Sequence, residues 1–230
     1  MKFDMPRKES YVRVEAPGYE PAQSRAFRSD EGAITQDFRL KPAAEISGVV
    51  LLPDGRPAAV VQVVLGTRKS AAFVHNGVVH LKANSESTMT GPDGRFTFPK
   101  HDGGVLLVVA ADAGFTDATS DEFAKTGKLV LRPWGRFEGE VRIGRQPAAH
   151  QWVTYVPELP SNRGDVFRMR NYSYHFATDA RGRFAIDRVI PGKGTIARVP
   201  VRLLRSEWAE QESVEVKPGQ TTQVRFDGKG

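Results

Sequence analysis

Leu40-Lys41-Pro42-Ala43-Ala44-Glu45-Ile46-Ser47-Gly48 recurs 91 residues downstream as Leu131-Arg132-Pro133-Trp134-Gly135-Arg136-Phe137-Glu138-Gly139. Self-similarity at a fixed spacing marks a repeated structural unit, and it decides how many folds the chain contains. Two further landmarks keep the same order. Each copy is followed by a strand and then a turn, Asp54-Gly55-Arg56-Pro57-Ala58-Ala59 in the first and Gly144-Arg145-Gln146-Pro147-Ala148-Ala149 in the second. Thr90-Gly91-Pro92-Asp93-Gly94-Arg95-Phe96 then returns as Thr178-Asp179-Ala180-Arg181-Gly182-Arg183-Phe184, at an offset of 88. Near the N-terminus Phe3-Asp4-Met5-Pro6 lines up with Phe96-Thr97-Phe98-Pro99, and Gly18-Tyr19 with Gly114-Phe115. This spacing divides the 230 residues into 1–43, the C-terminal half of one module, 44–134, a complete module, and 135–230, a second complete module. Half a sandwich leaves one sheet face bare, so the first piece is expected to follow a preceding segment or to dock on its neighbour.

Between these landmarks the chain reads as strand. Val49–Leu52, Val60–Leu65, Val105–Ala110, Lys128–Leu131, Trp152–Val156 and Val214–Val216 are short, β-branched or aromatic, and bounded by Gly, Pro, Asp or Asn. Helical spacing is nearly absent. Ser120–Ala124, and Arg205–Glu212 around Trp208, have room for one short helical turn each. Many short strands broken by Gly and Pro turns argue for an all-β chain with one sandwich per module. At 40% hydrophobic and 26% charged residues the composition is that of a folded globular protein. With no cysteine, disulfides, thiol nucleophiles and cysteine-ligated metals are excluded. No apolar window approaches the ~18 residues that a membrane-spanning helix needs. The opening MKFDMPRKESYVRV also lacks an apolar run of signal-peptide length.

The order G-x-V, D-G-x-P-x-x-x-x-x-V, T-D-x-x-G-x-F, P-G and A-x-G-Y/F is carried by Gly48–Val64, Thr90–Pro99, Val12–Pro21 and Thr178–Gly192. It resembles the carboxypeptidase regulatory-like domain over almost the whole chain. The resemblance implies tandem Greek-key, prealbumin-like (transthyretin-like, Ig-like) β-sandwiches with about seven strands per module. It also implies a periplasmic, cell-surface or secreted setting within a larger protein. Gly55 and Gly94 suit left-handed turns, and Phe96 or Phe184 fills the space between sheets. Gly91-Pro92 departs from the usual Asp at the second position of the T-D motif, and Asp187–Ile190 lengthens the approach to Pro191-Gly192.

Enzymes that use related elements require residues that this chain lacks. A zinc carboxypeptidase needs His followed three residues later by Glu, and none of His75, His80, His101, His150 and His175 has that neighbour. Intradiol dioxygenases ligate iron with His beyond the T-D-x-x-G-x-F element, and no His follows Phe184. Hydroxyisourate hydrolases end in Tyr-Arg-Gly-Ser, whereas this sequence ends Arg225-Phe226-Asp227-Gly228-Lys229-Gly230. No catalytic residue, metal site or cofactor is assigned. Asn76-Gly77 suits a two-residue turn that pairs His75 with Val78 and Phe73 with His80, placing both imidazoles diagonally on one face. Two such His would need a third ligand to share a metal, for which Glu86 is the nearest acidic candidate, and an ordinary solvent-facing hairpin is the reading adopted.

Charge is uneven. Arg132 to Arg205 holds 14 basic residues, 13 of them Arg, against 6 acidic ones, while the rest of the chain is near neutral. Arg163, Arg168 and Arg170 lie in the connection after Val156 with Tyr172 and Tyr174. Arginine forks suit phosphate, sulfate or carboxylate, and aromatics stack on sugars. These five residues, with Trp208, are the candidate binding set for an anionic glycan. Solvent-facing alternation, as with Arg181, Arg183 and Arg188 around Phe184 and Ile186, is the alternative. No nucleic-acid motif accompanies the charge. Trp134, at the junction, is expected to pack between modules. Trp152 alternates with Thr154 and Val156, which suggests a core face. The leading expectation is a non-catalytic spacer or interaction array in a larger envelope or secreted protein, partnered by its neighbouring domains. An anionic-carbohydrate module is the second.

Overall fold

The computed structural model describes residues 10–16, 19–28, 30–42, 45–99, 101, 103–158, 169–199 and 210–228. The chain forms two compact units, Met1–Ile46 with Thr97–His101, and Ser47–Phe96 with Asp102–Gly230. In the first unit, β1 (Arg13–Val14) pairs antiparallel with β2 (Ala22–Gln23). Isolated bridges join Ser10 to Phe27 and Tyr19 to Pro42. Arg25 lies over the Phe27 ring and grips both oxygens of Glu31, at 3.0 and 2.6 Å. Tyr11, Val12, Tyr19 and Ile34 remain exposed.

From Glu45 onward the chain builds β3 (Glu45–Leu51), β4 (Gln62–Gly66), β5 (Ala72–His75), β6 (Val78–His80), β7 (Glu86–Met89), β8 (Arg95–Pro99), β9 (Leu106–Ala111), β10 (Gly114–Thr119), α1 (Ser120–Ala124), β11 (Lys128–Val130), β12 (Gly135–Ile143), β13 (Gln146–Pro147), β14 (Trp152–Pro157), β15 (Arg170–Ala177), β16 (Arg183–Val189), β17 (Gly192–Val199), β18 (Glu210–Val216) and β19 (Thr221–Gly228). These strands make two sandwiches with the same strand order. One combines sheets β10-β9-β4-β7 and β11-β3-β8. The other combines β18-β17-β14-β15 with β12, which is flanked by β16 and by β19. In both, the last strand runs parallel to the first, β11 to β3 and β19 to β12. The predicted turn at Ser120–Ala124 is a helix started by a reciprocal Thr119–Glu122 capping box. The predicted helical turn at 205–212 is corrected where it is described, since Glu210–Glu212 belong to β18.

The repeated motifs do the same physical work in each sandwich. Buried Thr90 donates its hydroxyl to the Ala58 carbonyl at 2.6 Å and accepts Val61 N–H at 3.0 Å. Thr178 does the same with Ala148 at 2.7 Å and Gln151 at 3.0 Å. Gly94 and Gly182 adopt φ of 73° and 75°, and a Cβ on either would sit 2.6 to 2.7 Å from the carbonyl of Val50 or Val141. Both reasons exclude a side chain. The departure at Gly91 is met locally, because Asp93 accepts Arg95 N–H at 3.1 Å while Asp179 accepts Arg183 N–H at 2.8 Å.

The insertion between β4 and β7 breaks the symmetry. β5 and β6 form an arm that leaves its own sandwich and pairs, parallel, with the edge of β15 in the other, Ala72 opposite Arg170 and Ser173 opposite His75. The second sandwich thereby acquires a six-stranded sheet, β18-β17-β14-β15-β5-β6. β4 and β9 are buried on both faces: Val63, Val64 and Leu65, and all of Leu106–Val109, are essentially inaccessible. Val64, Leu106, Val108 and Phe115 share one apolar cluster with Ala72 and Val74 of the arm, Tyr172 and Tyr174 of β15, and Phe137 of β12. Replacing Thr90 or Thr178 by Val should cost about 1–3 kcal/mol at either site, because a buried carbonyl and N–H lose their partner. Urea denaturation of the two variants should show the two losses to be similar.

Candidate functional site

The joint between the sandwiches is where polar chemistry is concentrated. On β15, Arg170, Tyr172 and Tyr174 point inward, while Asn171, Ser173 and His175 alternate outward. Arg170, whose side chain is 6% exposed, bonds Asp117 of β10 at 2.6 Å, and the Tyr172 hydroxyl donates to the same carboxylate oxygen at 2.9 Å. Burial works against the guanidinium charge, and Asp117 more than offsets this, holding its pKa above the ordinary value. Burial and the neighbouring carboxylate push the Tyr172 hydroxyl upward. Tyr174 accepts Ile190 N–H at 2.9 Å within the core. Phe115 sits between Tyr172, which it meets edge to face, and a tilted Trp134, and the Trp134 indole donates to Ala111 O at 2.7 Å.

Arg170, Tyr172 and Tyr174 were expected to offer a ligand surface, and strand parity turns them into the joint instead. Arg163, Arg168 and Trp208 lie outside the described residues. Trp134 packs at the joint, as expected. Trp152 is corrected: it is 49% exposed, because Val153 and Tyr155 take the inward positions of β14 and Thr154 is buried by its bond to Tyr174 O.

The Asn76-Gly77 turn forms with φ of 49° and 74°, and the pairs Phe73–His80 and His75–Val78 are those anticipated. The arm is not a free hairpin, however. Asn76 exchanges two hydrogen bonds with the His175 backbone, at 2.9 and 3.1 Å, and a Cβ on Gly77 would collide with Arg188. His80 and His175 stand 6.0 and 5.7 Å, ring to ring, from His75. His175 was missed in the sequence, being about 100 residues away from the arm. Glu86, the acidic candidate, is an exposed residue at the start of β7. Among the described residues no three His, Asp or Glu side chains are arranged to hold a metal.

Several concavities flank the second sandwich, one of about 650 Å³ over β14, β17 and β18 among them. A groove of about 910 Å³ over β12, β16 and β19 carries Glu138, Glu140, Arg183 and Arg225, whose charges are mutually or locally paired. A pocket of about 320 Å³ beside the arm is lined by Phe73, His75, His80, Lys82, Asn171 and Ser173. Among the described residues, no helix is long and apolar enough to cross a membrane.

No protein-family model matches the chain, and no curated protein matches it. Solved structures with similarity include the minor pilin GBS52 of Streptococcus agalactiae, at 13% identity over 80% of this chain and 95% of that one, with a TM-score of 0.40. A streptococcal ancillary pilin is 13% identical over 97% of this chain and 76% of that one, with a TM-score of 0.37. The shaft pilin SpaA of Lactobacillus rhamnosus GG is 8% identical over 82% and 98%, with a TM-score of 0.30.

Two outcomes follow from the joint. Asp117→Ala should destabilise the protein by about 3–5 kcal/mol by leaving Arg170 buried without its counter-charge, and the paired change Asp117→Leu with Arg170→Met should recover most of that loss in denaturant titrations. Desolvation, and then the nearby His75, lower the His175 pKa from 6.5. A base whose folded pKa lies below its unfolded one contributes fully above the unfolded value and loses that contribution as pH falls toward the folded value. Stability should therefore decline on acidification below about pH 6.5, and His175→Gln should flatten the decline in melting curves.

Proposed function

We propose that the chain is a non-catalytic, rigid spacer: successive carboxypeptidase regulatory-like sandwiches that hold neighbouring domains of a larger envelope or secreted protein at fixed separation. The observation that carries this reading is the arm. A bend between the sandwich that ends in β11 and the one that begins with β12 would break the parallel β5–β15 pairing, open the shared apolar cluster and expose the Asp117–Arg170 pair. Burying Val74 alone contributes about 1.5–3 kcal/mol, and an unpaired buried charge costs several more. Hinging is thus opposed by terms comparable to the whole stability of a small domain. The extracytoplasmic setting and the family rest on the motif order of Gly48–Val64 and Thr178–Gly192.

The absence of cysteine makes the test direct. Spin labels on Ser87→Cys and Arg225→Cys, one on each sandwich, should give a single narrow distance distribution. Val74→Asp, which forces a charge into the arm's inner face, should broaden it. A broad distribution in the parent protein would overturn the spacer reading.

A further inference from the structure

The pocket beside the arm sets Lys82 and the polar side chains of His75, His80, Asn171 and Ser173 among the apolar surfaces of Phe73 and Val74, and its lining includes no carboxylate. Its walls come from both sandwiches: His75 on β5, His80 on β6 and Lys82 just beyond belong to the arm, and Asn171 and Ser173 belong to β15. His75 Nδ1 lies 3.2 Å from the Ser173 hydroxyl, and the Lys82 ammonium sits 3.5 Å over the Phe73 ring. We propose that this pocket binds a tetrahedral oxyanion, phosphate or sulfate, free or as an ester on a polysaccharide, and that the anion staples the arm to β15.

The chemistry follows from the donor set. Imidazole, ammonium, hydroxyl and carboxamide groups line one space of about 320 Å³, room for a hydrated oxyanion or for an ester on a sugar, and charge-assisted hydrogen bonds are about twice as strong as neutral ones. The surrounding groups favour negative charge. His175 on β15 lies against His75, so two further imidazoles, those of His80 and His175, stand within 6.0 Å of the His75 ring. At the turn, Arg188 of β16 abuts Gly77 and is paired with Asp112, leaving the outer face of the arm to the histidines and Lys82. A divalent metal requires three convergent ligands, and the described residues do not supply them. The pocket rests on the same β5–β15 pairing as the spacer reading, but sulfate binding is read at the pocket and rigidity from the spin-label distances, so the two fail distinguishably.

The full chain is titrated with sulfate at constant ionic strength set by chloride, with the Asn171 and Ser173 amides followed by NMR. Binding should saturate, and His75→Gln with His80→Gln should weaken it about tenfold, the effect of losing hydrogen-bond donors to an anion. Lys82→Gln, outside the strands, should weaken binding several-fold while leaving the fold intact. A sulfated disaccharide titrated in parallel identifies the source: tighter binding than inorganic sulfate assigns the ester, and weaker binding assigns the free ion. Absence of saturation, a titration unchanged in these variants, or saturation of the same amides by zinc but not by sulfate overturns the proposal.

Discussion

Everything in the second unit depends on one constraint, a β-sheet that must be covered on both faces. β4 and β9 carry unbroken apolar runs, Val63-Val64-Leu65-Gly66 and Leu106-Leu107-Val108-Val109, where an ordinary sandwich strand would alternate. Strands of that kind are stable only when buried on both sides. One side is satisfied within the sandwich, whose opposing sheet holds Val50, Phe96 and Leu129. The other side, Val64, Leu106, Val108 and Phe115, is satisfied from the second sandwich and its arm, by Ala72, Val74, Tyr172, Tyr174, Phe137 and Trp134 among others. The two modules are therefore not beads on a string.

The arm meets two requirements at once. Its backbone completes the edge of β15, removing a row of unpaired donors and acceptors that would otherwise invite foreign strands. Its inward side chains, Ala72 and Val74, seal the exposed face of the sheet from which the arm itself departs. The polar interactions then fix register, since the Asp117–Arg170–Tyr172 cluster and the Asn76 clamp both fail if the strands slip by one residue. A single buried pair of this kind adds little net stability, but it makes misplacement costly.

The two sandwiches differ most where the array logic predicts they must. The positions of Val64 and Val108, which meet the next module, correspond in the second sandwich to Thr154 and Ala197, paired with each other across β14 and β17. On β14 Trp152 and Val156 are exposed and Val153 and Tyr155 are buried, while Thr154, bonded to Tyr174 O, and Ala197 opposite it are also covered. The repeat thus preserves the turns and the threonine bridges in both copies while changing the outer face according to what lies over it.

Strand content, the repeat, the turn chemistry and even the cross-strand pairs of the arm were legible because they are local: Asn-Gly selects a tight turn, and glycine is needed wherever φ is positive and a carbonyl sits within 3 Å. The continuous apolar runs were legible too, though their meaning was not, since periodicity says that a strand is covered twice and never by what. The candidate site was not legible. Arg170, Tyr172 and Tyr174 read as a surface because nothing local fixes which face of β15 is inward; a one-residue shift of parity exchanges Arg170 for Asn171 and Tyr174 for His175. Asp117 and Arg170 are 53 residues apart, and His75 and Ser173 are 98 apart. The sequence alone determined two repeats of one β-sandwich plan. The tertiary structure decided that an arm of the first completes the second, because only packing brings the doubly buried sheet, the β15 edge and their polar clasps to the same place.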